Sequence, residues 1–322
     1  MFSTIKIIFG GAAIQRDAGN FRTAPQLSEL FSVLQAHDVT TIDTAQLYGT
    51  SESVLGEHAA GTSFVLDTKA FGGFQRGTAT REGIVREGRA SLSRLGVRQV
   101  DVFYLHSPDD TVPLESTLAG IDELHREGVF KRFGLSNFTA EDVRRVDELA
   151  GEKGWVRPSV YQGNYSPVAR LQEEVLFPTL RELGMAFYAY SPIAGGFLAK
   201  SRTEIEEGAG RFAASHPLSR IYGAMYKRPA YLEVLEEWGR VAESVGATRS
   251  ELAYRWVVYH SVLRGEKGDG IVFGGRQIGH VKETLEGIEH GPLPEEAVKR
   301  IDGIWEKIKH EAPLDNFNSV EQ

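Results

Sequence analysis

The sequence predicts a (β/α)8 TIM barrel formed as a single domain over residues 1–322, and three observations carry that expectation. Eight short apolar runs rich in Val, Ile, Phe and Tyr recur along the chain. Segments with apolar residues at helical spacing separate nearly all of them, and alternation on this scale predicts a parallel sheet. Several runs turn polar only at their C-terminal ends, and in a closed barrel those ends gather on the rim where such folds bind ligands.

The first strand is expected in "IKIIFGG". Pro25 in a first helical turn, with Leu27, Leu30, Phe31 and Leu34 at helical spacing, predicts the first helix. "TTIDTA" is the second strand, Ser51 to His58 a short helix and "SFVLDTKA" the third strand. Ile84, Gly88, Leu92 and Leu95 mark a helix face before the fourth strand, "VDVFYLH". A helix carrying Leu118, Ile121 and Leu124 leads to "FKRFGLSN". Thr139 followed by Asp142 resembles a capping box, opening a helix through Val143, Val146 and Leu149. "PSVYQGNYS" and "MAFYAYSPI" are strands six and seven, separated by a helix around 170–183. Two helices, Tyr231 to Gly246 and Ser250 to His260, precede the last strand, "GDGIVFGG", and a C-terminal helix is expected at about 294–309. The stretch at about 200–229 reads as a loop longer than most connections, either a lid or specificity element or a surface excursion. Phe212, Ile221, Tyr222 and Tyr226 argue against its complete disorder, and "RTEIEEG" within it reads as a solvated helix turn.

Composition narrows the function classes. With 41% hydrophobic and 25% charged residues the chain is globular, and a net charge of -8 leaves no basic footprint for nucleic acid. Cysteine is absent, which excludes disulfides, thiolate catalysis and cysteine metal sites and fits a reducing compartment. "MFSTIKIIFGGAAIQRD" is unlike a secretory signal, and no segment approaches the ~20 apolar residues of a membrane span. A cytoplasmic protein without nucleic-acid, membrane or metal partners is expected. A doubly wound sheet is the structural alternative, but "FGGAAIQRDAG" has the wrong glycine spacing for a dinucleotide fingerprint.

Asp43, Tyr48, Lys69 and His106 lie at or just beyond the ends of strands two, three and four. A carboxylate, a phenol, an ammonium and an imidazole together can polarise and protonate a carbonyl oxygen. The phenol, with an ordinary pKa of about 10, becomes a better acid beside a cation. A carboxylate paired with that cation keeps it charged and in place, and a neutral imidazole can orient the carbonyl. Singly, Asp43 reads as a turn acid, Tyr48 as packing, Lys69 as a solvated strand end and His106 as a satisfied rim histidine. All four in order on successive strand ends favour catalysis. His58, His260 and His280 lack that context and read as surface residues.

"IDTAQLYGTSE", "LDTKAFG" and "FYLHSPD" resemble the signature regions of the aldo-keto reductases, and "GLSNF", "YQGNYSP", "YAYSPIAGGFL" and "GIVFGGRQIGHVKETLEGIEHGPL" extend the likeness over most of the chain. "SPIAGGFL" and "EHGPLPEEAVKRIDGIWEKIKHEAP" are most similar to the aflatoxin-aldehyde reductase subfamily. The resemblance implies NADPH-dependent reduction of an aldehyde or ketone to an alcohol, with Asp43, Tyr48, Lys69 and His106 as the catalytic tetrad and a possible homodimer. It also implies that Tyr190 stacks on nicotinamide. Ser136, Asn137 and Gln162, at strand ends, would fix the carboxamide, against their plainer reading as turn formers. Cofactor contacts are further expected from Ser191, Pro192, Gly195, Leu198, Lys200, Arg211, Gly274, Arg276 and His280. Arg276 is placed for a 2′-phosphate, or is simply an exposed loop arginine.

The chain also departs from the pattern. Where many family members carry a lysine-serine pair and an adenine-contacting asparagine, it has Gly275, Arg276 and Thr284, so NADH is less excluded than usual. Substrate contacts are expected from Tyr48, His106, Met225 and Tyr226. Met225 aligns with an arginine of members that prefer carboxylated aldehydes, which favours a neutral or aromatic carbonyl unless Arg220 or Arg228 substitutes. Three rival functions remain: alcohol oxidation, an NADP-binding regulatory subunit of the potassium-channel β type, and a cofactor-free barrel lyase or isomerase.

Overall fold

Each apolar run becomes a strand covered on both faces, which is why these segments are continuously apolar. In the computed structural model, which describes residues 5–16 and 20–319, the strands are β1 (Lys6–Gly10), β2 (Thr41–Asp43), β3 (Val65–Ala70), β4 (Val100–Leu105), β5 (Phe130–Ser136), β6 (Pro158–Asn164), β7 (Ala186–Tyr190) and β8 (Gly270–Phe273). Every neighbouring pair is parallel, and β8 returns to pair with β1, so the sheet is a closed barrel. The first residues of the stretch compared with a signal peptide lie outside the described residues.

Helices cover the outside of the barrel. Thr23 and Gln26 form a capping box ahead of helix Ala24–Ala36, and Leu27, Leu30 and Leu34 are fully buried beneath it. The Thr139–Asp142 box opens helix Ala140–Lys153. Gly88 lets helix Arg81–Leu95 approach helix Leu114–Arg126, since a Cβ there would lie 2.4 Å from Leu124 Cδ1. The final helix runs Glu295–Ile308 and packs on helix Pro229–Ser244.

Two segments differ from the sequence expectation. The single helix around 170–183 is two short ones, Gln172–Val175 and Phe177–Glu182, because Pro178 lacks the N–H that a continuous helix needs at that position. The long loop is largely structured, as helices Arg202–Glu206 and Ser219–Tyr226 and a single 3-10 turn at Gly210–Phe212. Ile205, Phe212, Tyr222, Met225 and Tyr226 are buried, which anchors the segment to the barrel.

The barrel interior is packed. Ile8, Val102, Tyr104, Val160, Ala186, Tyr188 and Val272 form one apolar layer below the C-terminal rim. The Tyr104 ring spans this layer only because its neighbour on β5 is Gly134, where a Cβ would stand 2.2 Å from Tyr104 Cδ1. Gly134→Ala is therefore expected to destabilise the protein by about 1–3 kcal/mol through overpacking. Urea unfolding should show this as a lower midpoint with an unchanged slope.

Candidate active site

Three consecutive strands deliver the polar groups to one place. β2 ends on Asp43, and the turn that follows, closed by Tyr48 N–H to the Ala45 carbonyl at 3.0 Å, carries Tyr48. Lys69 lies near the end of β3, and His106 follows β4 directly, its N–H donating to the Ala70 carbonyl at 3.2 Å. Lys69 is fully buried. Its Nζ lies 2.5 Å from Asp43 Oδ2 and donates to the Thr44 carbonyl at 2.8 Å. The other Asp43 oxygen accepts from Gln162 Nε2 at 3.0 Å. The same ammonium is 5.3 Å from the Tyr48 ring centroid and 5.5 Å from that of Tyr104. His106 meets the Tyr48 ring edge to face at 5.8 Å.

The electrostatics follow from burial and from this one cation. Burial penalises the Lys69 ammonium, but Asp43, with Tyr48 and Asp67 adding, more than offsets it, so Lys69 stays charged with a pKa above its usual value. Burial raises the Tyr48 phenol above 10, with Lys69 opposing, so the phenol keeps its proton at neutral pH. Burial, and then the Lys69 charge, push His106 well below its usual value, leaving the imidazole neutral. Its Nδ1 is buried without a hydrogen-bond partner. The arrangement holds a protonated phenol beside a fixed cation and a neutral ring, a set able to give a proton to an oxygen and stabilise the resulting phenolate.

Around the rest of the rim the backbone is strained. Asn137 and Ser191, directly after β5 and β7, have φ of 61° and 55°, a left-handed conformation that costs about 1 kcal/mol or more for a non-glycine residue. Asn137 Nδ2 donates to the His106 carbonyl at 2.8 Å, and its Oδ1 accepts from Tyr190 OH at 2.8 Å. The segment after the last helix crosses this side of the mouth. Asn316 N–H donates to Tyr190 OH at 3.3 Å and Asn318 Nδ2 to the Asn137 carbonyl at 3.2 Å. Phe317 packs on Phe74 at 5.2 Å, and Phe74 on His106 at 4.9 Å.

Beyond β7 and β8 lies a cluster of cations. Arg211 stacks over Tyr222 with its guanidinium carbon 4.8 Å from the ring centroid and donates to the phenol at 2.7 Å. Gly195, at φ 66°, lies flat against that ring, where a Cβ would come within 1.9 Å of it. Burial, then Arg211, lowers Arg276; burial lowers Lys200, where Glu204 opposes the shift and Arg276 and Arg211 add to it. Among the described residues no carboxylate forms an ion pair with Lys200, Arg211 or Arg276.

The Aldo/keto reductase family model matches residues 6–306 of this chain. The chain belongs to the aldo/keto reductase family. Oxidoreductase sirO of Leptosphaeria maculans is 39% identical over 293 residues, covering 90% of this chain and 89% of that protein. Aflatoxin B1 aldehyde reductase member 2 of Mus musculus is 34% identical over 286 residues, covering 84% and 78%, and human Aldo-keto reductase family 7 member A3 is 32% identical over 313 residues, covering 92% and 94%. Both the family and the subfamily likeness read from the sequence agree with these relatives. The protein is an oxidoreductase of carbonyl compounds, and among the described residues no helix is long and apolar enough to cross a membrane.

The reductase fold places some expected contacts elsewhere. Met225 and Tyr226 are fully buried in the core, and Tyr226 OH accepts from Asn164 Nδ2 at 3.4 Å, so neither presents side-chain surface to a substrate. Arg228 is committed to the Ala224 and Glu311 carbonyls, and Arg220 is exposed on the helix Ser219–Tyr226. The Leu198 side chain is buried and its carbonyl accepts from the Trp238 indole, which makes it a packing residue, and Pro192 is also buried. Thr284 is buried against Tyr254, while His280 is exposed in the first turn of helix Ile278–Glu289. Ser136 and Gln162 are buried at their strand ends. Phe74, Tyr222, Asn316, Phe317 and Asn318 join the rim without having been singled out as site residues. The aromatic-amide run "DNFNS" after the last helix was the available signal for the tail.

One further acid lies beneath the cluster. Asp67 of β3 pairs in register with Asp43; its Oδ1 accepts from the Val102 N–H at 3.0 Å, while its Oδ2 and the Tyr104 hydroxyl are buried without partners. Burial, with the Asp43 charge adding, pushes Asp67 up to about 7 from an ordinary 3.8. The folded state thus keeps a proton that the unfolded chain has lost between about pH 4 and pH 7, and stability from this group falls as pH rises through that window. Asp67→Asn should unfold at a higher urea concentration than the unsubstituted protein at pH 8, by at least about 1 kcal/mol, with the difference shrinking at pH 4 to 5.

Proposed function

We propose that this aldo/keto reductase uses NADPH to reduce a neutral, aromatic or apolar aldehyde or ketone to its alcohol, with Tyr48 as the general acid. The observation that carries the reading is the fully buried Lys69–Asp43 pair set under the Tyr48 ring and beside a neutral His106. A nicotinamide dinucleotide, when bound, supplies the hydride. The residues around the rim fit such a group. Asn137, Ser136 and Gln162 place amides and a hydroxyl near the tetrad, Tyr190 presents a ring, and Lys200, Arg211 and Arg276, which among the described residues form no ion pair with a carboxylate, make a cationic patch suited to phosphates.

His106 orients the carbonyl oxygen through a ring N–H, and the Tyr48 hydroxyl transfers its proton to that oxygen as the carbon is reduced. The Lys69 ammonium stabilises the phenolate that remains, and Asp43, held by Gln162, keeps that ammonium charged and aimed. The Phe74 ring against His106, with Phe317 packed on it, favours an aromatic or apolar substituent on the carbonyl.

Tyr48→Phe should lower kcat by about 10²- to 10⁴-fold while NADPH still quenches the protein fluorescence with near-normal affinity. Turnover close to that of the unsubstituted enzyme would remove Tyr48 from the mechanism. In an NADPH-oxidation screen, benzaldehyde-type substrates should exceed succinic semialdehyde in kcat/KM. The opposite order would overturn the substrate assignment.

A further inference from the structure

The segment between the 3-10 turn Gly210–Phe212 and helix Ser219–Tyr226 places a histidine against the cationic patch. His216 Nε2 lies 3.2 Å from Arg276 Nη2, although the two residues come from different barrel connections, one after β7 and one after β8. The local backbone fixes the ring. His216 N–H donates to the Ala213 carbonyl at 2.8 Å, Ser219 N–H donates to the His216 carbonyl at 2.9 Å, and Leu218 N–H donates to His216 Nδ1 at 3.1 Å.

The two ring contacts compete for the single acceptor nitrogen of a neutral imidazole: Leu218 N–H needs it at Nδ1 and Arg276 Nη2 needs it at Nε2, and the loop's own backbone holds the Leu218 contact. A neutral imidazole has one acceptor nitrogen and one N–H. With Nδ1 engaged as an acceptor by Leu218, the proton sits on Nε2, facing a guanidinium that has only donors to offer. Burial, then Arg276 and Arg211, lower the His216 pKa, which keeps the ring neutral. Arg276 and His216 therefore meet donor to donor across 3.2 Å with no hydrogen bond gained. The convergence is satisfied by an anion whose oxygens accept from both at once, with Arg211 and Lys200 adding positive potential nearby.

We propose that His216 is a ligand of the cofactor's 2′-phosphate, donating from Nε2 alongside Arg276, and that the pair discriminates NADPH from NADH. The assignment rests on the NADPH reading given above. It explains how a single arginine after Gly274 and Gly275 secures a phosphate: the second donor comes from across the rim, on the connection after β7. Ligand and loop are then linked, because the phosphate bridges the β7 and β8 connections.

The test is equilibrium binding by titration calorimetry of the unsubstituted protein, His216→Ala and His216→Gln, with NADPH, NADH and adenosine 2′,5′-bisphosphate. His216→Ala should weaken NADPH and the bisphosphate by about tenfold or more, the loss of one hydrogen bond to a charged group, and leave NADH within about twofold. His216→Gln, which keeps a side-chain N–H donor, should recover part of that loss. Equal weakening of NADPH and NADH would make His216 a structural residue, and unchanged NADPH binding would remove it from the site; either result overturns the assignment while leaving the NADPH reading intact. An unsubstituted protein that binds NADH as tightly as NADPH would overturn both.

Discussion

The buried Lys69–Asp43 ion pair is the constraint on which the rest of the site depends. Two opposite charges enclosed near the rim of a barrel are costly to desolvate, and removing either partner leaves the other charge uncompensated at about 3–5 kcal/mol. The surroundings are arranged to make the pair tolerable. Gln162 takes the second carboxylate oxygen, the Thr44 carbonyl takes a second ammonium proton, and the Tyr48 and Tyr104 rings present their faces to the charge. Burial sets the protonation of the neighbours, and that one cation modulates it, opposing the burial shift at Tyr48 and reinforcing it at His106.

Placing such a pair requires strands two to four in the observed order and register. Asp43 stands beside Asp67, and Lys69 beside Tyr104, as direct partners in adjoining parallel strands. Side chains two apart on β3 therefore share the inward face, which puts Lys69 in the rim layer and Asp67 one layer below. An acid that holds its proton to about pH 7 fits this position, because burial and the neighbouring Asp43 charge disfavour a second carboxylate by more than the Lys6 charge offsets.

Much of this was legible in the sequence because it rests on local patterning. All eight strands, the Thr139–Asp142 cap and the order of Asp43, Tyr48, Lys69 and His106 follow from short-range periodicity and strand-end polarity. What sequence patterning misses depends on contacts between distant segments. Met225 sits where a substrate contact was expected, yet a one-residue difference in helical phase turns a side chain by about 100°, and here the helix Ser219–Tyr226 directs it into the core. The pairing of His216 with Arg276 joins residues 60 apart, and the packing of Phe317 on Phe74 joins segments from opposite ends of the chain. No periodicity links such positions.

The tail that crosses the mouth has a thermodynamic consequence. Asn316 and Asn318 bind Tyr190 and Asn137 directly, so those rim residues and the tail share one set of hydrogen bonds. Coupling of this kind is reciprocal: whatever holds Tyr190 and Asn137 in place tightens the tail, and whatever loosens the tail weakens the grip on anything Tyr190 and Asn137 hold, by the same free energy. The order of the tail and the placement of Tyr190 and Asn137 at the rim are in this protein a single equilibrium viewed from two sides.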